Sequence, residues 1–433
     1  MTGAGAGERE GSRFWLPGLH TLRLNTRDAV AGAEAVAEVL WPSARAGGSV
    51  ERHNEFAVGA FFPPPREGHP ETVVLTALEP LSRSTRIDRR SPWLLVALAA
   101  SQLLATAPWA PLLVSWPDLL PPTTLDTLRQ LAPRRVLLAG PVERRLLVRL
   151  EELGWETEWL QGQSGPAEHA ALFADYARRW QRRSASATPG ASATPGASAS
   201  SPAEGSPGRP TLADVAAAHV FLAPVEEPMY AVPAVAAAAA GFGVLLYTQT
   251  NAIPSATFST LAAFSAGVHI HLLAPRSLQP DSFLEQLALY GSVDRIELTD
   301  PVSQALAFYW RLTNRRDVRR YVPARYETAV GAAREPAAPE QPERAPLGLL
   351  PLGWPELALT LAPLAAAGHL GGLLWTGDRA LPAALESALR LRALGLQDFA
   401  RLSDLLLVGD SELLPHALQE ELDRLLTFGQ RSR

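Results

Sequence analysis

One segment of the sequence occurs three times, with about 130 residues between copies. The copies are APLLVSWPDLLPPTT (110–124), GVLLYTQTNAIPSAT (243–257) and GGLLWTGDRALPAAL (371–385). Each is an apolar strand that ends in Ser or Thr, followed by a turn and by a proline that opens a helix. The prolines Pro121, Pro254 and Pro382 lie 133 and 128 residues apart (254 − 121 and 382 − 254). This spacing predicts three copies of one domain-sized module.

The neighbours of each copy recur in the same order. A buried strand and an amphipathic helix follow it, another strand and helix precede it, and a charged strand with its own helix comes before these. Each module therefore reads β-α-β-α-β-α-β-α. Continuous apolar strands that alternate with helices are typical of a parallel sheet covered on both faces. We predict an α/β fold of three Rossmann-like parallel-sheet modules, arranged as a pseudo-threefold trimer within one chain.

The ends of the chain suggest how the modules are arranged. The third module ends without a charged strand, and the chain begins with one, Thr21 to Leu24. We therefore predict a closed ring in which this strand completes module one beside the end of module three; an open row is the alternative. The predicted divisions are a disordered N-terminus (1–20), module 1 (21–154, insertion 43–70), module 2 (155–291, low-complexity linker 184–210, expected to be disordered), module 3 (292–428, insertion 331–346) and a tail (429–433).

Composition excludes several kinds of chemistry. The chain has no cysteine and no lysine, so all 39 basic residues are arginine. Thiol nucleophiles, Cys-ligated metals, a P-loop lysine and Schiff bases are therefore impossible. The net charge of −5 gives no reason to expect a nucleic-acid partner. The most apolar stretch, 93–107, is too short to span a membrane, and no signal peptide precedes it, so the default localisation is cytoplasmic.

Three motifs resemble catalytic or metal sites without their usual partners. GDSEL (409–413) matches a hydrolase motif, but the Asp-x-x-His pair that would activate its serine is missing from the residues that follow. His269 and His271 face the same side of a strand and could share a metal, yet no third ligand lies at an obvious spacing. GAGAGE near the N-terminus lacks a preceding strand. We predict a non-enzymatic protein with no catalytic residue, no metal and no cofactor.

Arginines and strand ends are the predicted ligand-binding residues. In open α/β sheets, ligands bind beyond the carboxyl ends of strands, where helix N-termini offer free N–H groups. Three hydroxyl residues end equivalent strands, three candidates are among the arginines of SRSTRIDRRS (82–91), and two more arginines occupy one register at module starts. The candidates are Ser115, Thr248, Thr376, Arg86, Arg89, Arg90, Arg23 and Arg295. The alternative is that the arginines are solvated or structural. Asp28 and Asp300 are expected to cap the helices that they precede.

The pattern resembles the cell wall-binding repeat family (type 2) over about residues 20–428. The resemblance rests on the strand before each helix-opening proline, on VLLAG and HLLAP before the last helix of a module, and on Arg295-Ile296 at a module start. The register places Glu158 where the other modules have this arginine. Of the residues that open the second helices, Leu94, Ala231 and Glu356, only the last is acidic.

The resemblance implies Rossmann-like modules packed as a triangle, anchored non-covalently to anionic cell-wall polymers at the cell envelope. The leading hypothesis is thus a non-catalytic, monomeric binding protein that recognises an acidic polymer through arginine and helix N-termini. One alternative is a cytoplasmic scaffold or assembly protein that kept the fold and lost the wall ligand. A minor alternative is a nucleotide or sugar-phosphate enzyme.

Overall fold

The computed structural model describes most of the three predicted modules. The described residues are 15–18, 20–42, 68–80, 89, 91–107, 109–162, 165–187, 219–264, 268–296, 298, 300–314, 346–393 and 404–428. Most of the three predicted insertions lies outside this part of the chain, as do Arg86 and Arg90.

Strands and helices alternate as the sequence pattern predicts. The N-terminal elements are β1 (Trp15–Pro17), β2 (Thr21–Leu24) and α1 (Ala29–Leu40). The next region contains β3 (Thr72–Ala77), α2 (Pro92–Ala100), a 3-10 helix (Ser101–Thr106), β4 (Leu112–Ser115), α3 (Pro122–Leu131), β5 (Arg135–Ala139), α4 (Arg144–Glu152) and β6 (Glu156–Leu160). Helix α5 (Pro166–Ala187) follows.

The same alternation continues through the rest of the chain. The second region contains β7 (His219–Pro224), a 3-10 helix (Pro228–Tyr230), α6 (Val232–Ala239), β8 (Val244–Thr248), α7 (Ser255–Ala262), β9 (Val268–Leu272), α8 (Ser282–Leu287), β10 (Gly291–Arg295) and α9 (Pro301–Asn314). The third contains β11 (Leu347–Pro351), a 3-10 helix (Pro355–Leu357), α10 (Ala358–Ala366), β12 (Gly372–Thr376), α11 (Ala383–Ala393), β13 (Leu405–Val408) and α12 (His416–Phe428).

Three sheets share one strand order. The orders are β4-β3-β5-β6, β8-β7-β9-β10 and β12-β11-β13-β2, all parallel, and β1 adds an antiparallel edge to the third sheet. We call these the first, second and third sheets. The leading strands TVVLTA, HVFLAP and LGLLP are buried along their whole length, as strands covered on both faces must be. The predicted α/β fold class with three Rossmann-like modules is confirmed.

The ends of the chain pair with each other. Strand β2 runs parallel to β13, with Leu24 opposite Val408, and this confirms the predicted contact between the N-terminal strand and the end of module three. Strand β2 is, however, the fourth strand of the third sheet, and it does not join the first sheet. Likewise β6 pairs with β5 and β10 with β9, so each charged strand belongs to the sheet that precedes it in the cyclic order.

Each sheet and the helices that cover it are called a unit. The helices that follow the leading strands of the three units, α2, α6 and α10, pack together at the centre of the molecule. Helices α6 and α10 contact each other, and both contact α2 and its 3-10 extension. Their sequences, PWLLVALAA, VPAVAAAA and ALTLAPLAA, carry no charge and no polar face, and almost every residue is buried. A helix that is apolar on all sides is stable only when neighbours surround it. These helices form the centre of a pseudo-threefold arrangement.

Three longer helices connect the units around this centre. Helix α1 packs between α10 of the third unit and β4 and α3 of the first; α5 bridges α2 and β8; α9 bridges α6 and β12. The carboxylate of Asp28 accepts a hydrogen bond from Val30 N (2.9 Å), and that of Asp300 accepts one from Ser303 N (2.8 Å). The predicted capping roles of both aspartates are confirmed.

Acid pH is expected to weaken the junction between the third and first units. His369 follows α10 and lies 6.1 Å from the Trp109 ring, centroid to centroid; burial lowers the pKa of its imidazole from 6.5 to about 4. The unfolded chain therefore binds more protons between these values, so stability falls as the pH drops from about 6.5 towards 4. His369→Asn should reduce this pH dependence, measured by urea unfolding at several pH values. If the free energy of unfolding changed with pH equally in the wild type and in His369→Asn, His369 would not be the source of the pH dependence.

Candidate functional site

The three predicted hydroxyl residues occupy equivalent positions. Ser115, Thr248 and Thr376 end the strands β4, β8 and β12, and their carbonyls accept hydrogen bonds from Leu78, Val225 and Leu352, respectively. All three are buried. Their hydroxyls contact backbone carbonyls, with the Thr248 hydroxyl also accepting a hydrogen bond from Gln279 (2.8 Å). The three strand-end carbonyls, together with the hydroxyls of Ser115 and Thr248, therefore join neighbouring elements inside their units.

Arg23 and Arg295 donate hydrogen bonds to the residues that precede the last helix of their units. Arg23 donates to the carbonyls of Leu414 and Pro415, which precede α12. Arg295 donates to the carbonyls of Gln279 and Pro280, which precede α8, and also pairs with Asp281. Both arginines are almost completely buried, and burial lowers the pKa of Arg23 despite the nearby Asp410 carboxylate. In this structure the two guanidiniums face backbone carbonyls of their own units.

The first sheet uses a tryptophan at this position. Arg295 lies opposite Leu272 and Arg23 opposite Leu407, while the equivalent Leu138 faces Trp159. The Trp159 indole N–H donates to the carbonyl of Gly140 (3.0 Å), also in the turn after the third strand. The register that equated Glu158 with the arginines was wrong by one residue. Side chains alternate along a strand, so that shift reversed the predicted face.

Arg89 connects the first unit to the third. Its Nε donates to Glu356 Oε1 (2.8 Å), and its guanidinium lies 3.6 Å from the centre of the Trp354 ring. The Glu356 side chain is 2 % exposed, and its Oε2 has no hydrogen-bond partner within the described part of the chain. Burial raises the pKa of Glu356, and the neighbouring guanidinium only partly offsets this. The positive charge of Arg89 thus compensates the negative charge of the buried Glu356 carboxylate.

A cavity of about 590 Å³ opens beside the pseudo-threefold centre. All three units line it, through the prolines that begin their second helices, Pro92, Pro228 and Pro355. The start of α5 and the residue after β8, Gln249, complete the wall. Because these residues follow the carboxyl ends of strands, the cavity lies where open α/β sheets bind ligands. Of the predicted ligand-binding residues, Arg89 lines it.

The described lining combines apolar walls with acidic groups. The prolines, Leu95, Val225 and Met229 supply apolar surface, and the carboxylates are those of Glu168, Glu226 and Glu227. Glu226 also accepts a hydrogen bond from Thr250 N (2.8 Å). The sequence analysis did not identify these glutamates. In the second and third units the available signal was a proline soon after the leading strand, in VEEP and GWPEL, whereas in the first unit the lining proline, Pro92, comes later, at the start of α2.

The two predicted histidines meet a third that the sequence analysis missed. His269 and His271 both lie against the His219 ring, at centroid distances of 5.4 and 5.3 Å, as their common strand face predicts. His219 Nδ1 is 3.0 Å from His271 Nε2. Within the residues that the structure describes, no group of three or more His, Cys, Asp or Glu side chains is placed to hold a metal ion.

The GDSEL motif forms a turn before α12. The Asp410 carboxylate accepts hydrogen bonds from the backbone N–H groups of Glu412 and Leu413 (both 3.1 Å) and pairs with Arg27 (3.3 Å). Ser411 is exposed beside it. Asp410 thus acts as a turn cap.

Two solved structures from Clostridium difficile share this fold. The cell wall protein Cwp8 superimposes with a TM-score of 0.59 at 12% sequence identity over 95% of this chain and 52% of its own. Cwp6 has the same TM-score and identity, over 94% of this chain and 48% of its own. The chain therefore spans about half the length of each. No family model and no curated protein matches the sequence. No helix in the described ranges is long and apolar enough to cross a membrane.

Proposed function

We propose that this chain is a non-catalytic binding protein that attaches to an anionic polymer of the cell wall, as a divergent member of the cell wall-binding repeat family (type 2). The observation that carries the proposal is the likeness to Cwp8 over 95% of the chain, which includes all three units. The three-copy sequence pattern supports the same family, because it resembles these repeats over about residues 20–428.

The cavity beside the pseudo-threefold centre is the proposed attachment site. Three units contribute to it, and a ligand there would contact the first turns of elements from each. Arg89 lines this cavity, while Arg23, Arg295, Ser115, Thr248 and Thr376 bond to groups within their own units. Arg86 and Arg90, close to Arg89 in sequence, remain candidates for contacts with the polymer's anionic groups.

Co-sedimentation with isolated cell walls tests this function. The full chain should sediment with walls that retain their anionic polymer, and purified soluble polymer should release it. Walls from which acid extraction has removed the polymer are the matched control and should leave the chain in the supernatant. Equal binding to both wall preparations, or no binding to either at low salt, would contradict the proposal.

A further inference from the structure

We propose that the cavity beside the pseudo-threefold centre binds an uncharged sugar unit of the polymer through its hydroxyl groups, and that the polymer's anionic groups stay outside. This inference rests on the proposed function and specifies which part of the ligand enters the cavity. It starts from the charges of the described lining, which do not suit an anion.

The positive charge of Arg89 is already compensated. Its Nε is bonded to the buried Glu356, and its plane is stacked on Trp354. The other charged side chains in the described lining are Glu168, Glu226 and Glu227. A phosphate or carboxylate inside the cavity would meet these three carboxylates and one guanidinium that already has an acidic partner. Like charges repel, so the described lining disfavours an anionic group inside the cavity.

The same carboxylates are suited to hydroxyl donors. An ionised carboxylate only accepts hydrogen bonds, and it does so more strongly than a neutral oxygen. Adjacent hydroxyls of a sugar ring present several donors to such acceptors. Glu226 and Glu227 follow β7, and Glu168 lies in the first turn of α5, so the acceptors come from two elements around the opening.

The apolar walls are suited to the faces of a sugar ring. Pro92, Pro228 and Pro355 each place a rigid ring of C–H groups at the cavity, and Met229 adds a polarizable side chain. Binding sites for small molecules commonly combine such walls with a few polar groups that fix orientation. A volume of about 590 Å³ lies within the range of such sites and fits a short oligosaccharide segment, while a bare ion would leave most of it empty.

Calorimetric titration with polymer fragments tests the inference. The probe is the neutral oligosaccharide fraction obtained by cleaving the polymer chemically into short fragments and removing charged species on an anion exchanger. It should bind the full chain with an affinity that changes less than about twofold between low and high salt, since no ion pair forms. Inorganic phosphate should not compete with it.

Paired variants locate the binding. Glu168→Ala with Glu227→Ala removes two acceptors and should weaken binding of the neutral fraction at least about tenfold. Glu152→Ala, an exposed carboxylate on the outer helix α4, is the control and should bind like the wild type. Circular dichroism should show that both proteins are folded.

The possible failures can be told apart. If the intact polymer binds and the neutral fraction does not, if phosphate displaces the neutral fraction, or if the paired variant binds as well as the control, the inference is overturned while wall attachment stands. If neither intact polymer nor neutral fragments bind the chain, the proposed function fails and the inference fails with it.

Discussion

Arg23→Ala is expected to lower the free energy of unfolding by about 4 kcal/mol. Arg23 is among the largest side chains that are fully buried, so its removal leaves a cavity in the third sheet. It also removes the donor to the Leu414 carbonyl, which lies 391 residues away in sequence. Because β2 is held in the third sheet partly by this contact, hydrogen exchange at Leu22 and Leu24 should accelerate along with the drop in denaturant midpoint.

Two further variants separate the causes. Arg23→Leu keeps apolar volume and loses only the hydrogen bonds, so it should cost about 2 kcal/mol. Arg129→Ala, at an exposed arginine paired with the exposed Asp126, should change stability by less than about 0.5 kcal/mol. A loss below about 1 kcal/mol for Arg23→Ala would show that β2 is held by its backbone pairing alone.

Apolar periodicity made the fold predictable from the sequence. Strands such as TVVLTA and helices such as VPAVAAAA have the patterns of elements buried on both faces or on all sides, and they recur at a constant spacing. Because these local patterns indicate which residues are buried, the α/β class could be derived from them. The contact between the chain ends followed instead from the charged strand that module three lacks, although the strand was assigned to module one and lies in the third sheet. The capping roles of Asp28 and Asp300 could also be predicted, because a capping side chain bonds to a backbone N–H within three residues of its own position.

The site was harder to predict because its contacts join distant parts of the chain. A one-residue shift in the register predicted for β6 hid the equivalence of Trp159 with Arg23 and Arg295, and only the pairing of β5 with β6 reveals it. The arginines were predicted to bind a ligand because the sequence alone does not distinguish an exposed guanidinium from a buried one. Arg89 and Glu356 lie 267 residues apart, and their contact exists only once the ring has closed.

Arg89→Met is expected to lower the free energy of unfolding by about 2–3 kcal/mol at pH 8 and by less at pH 5. Breaking a buried ion pair commonly costs about 3–5 kcal/mol, and the lower value here reflects the 36% exposure of the Arg89 side chain. Burial already raises the pKa of Glu356. Without Arg89 the folded state binds a proton that the unfolded state releases above about pH 4.5, so the variant loses stability as the pH rises.

The double variant Arg89→Met with Glu356→Gln isolates this mechanism. A neutral amide needs no cation, so the second substitution should recover most of the stability lost at pH 8 and remove its dependence on pH. Arg149→Met is the matched control, because its partner Glu152 is as exposed as Arg149 itself and needs no compensation. Urea unfolding at both pH values compares the wild type, the single variants Arg89→Met and Glu356→Gln, the double variant and the Arg149→Met control, because additivity is judged against both single variants. Strictly additive losses in the double variant would mean that Arg89 stabilises the ring through its stacking on Trp354, independently of Glu356.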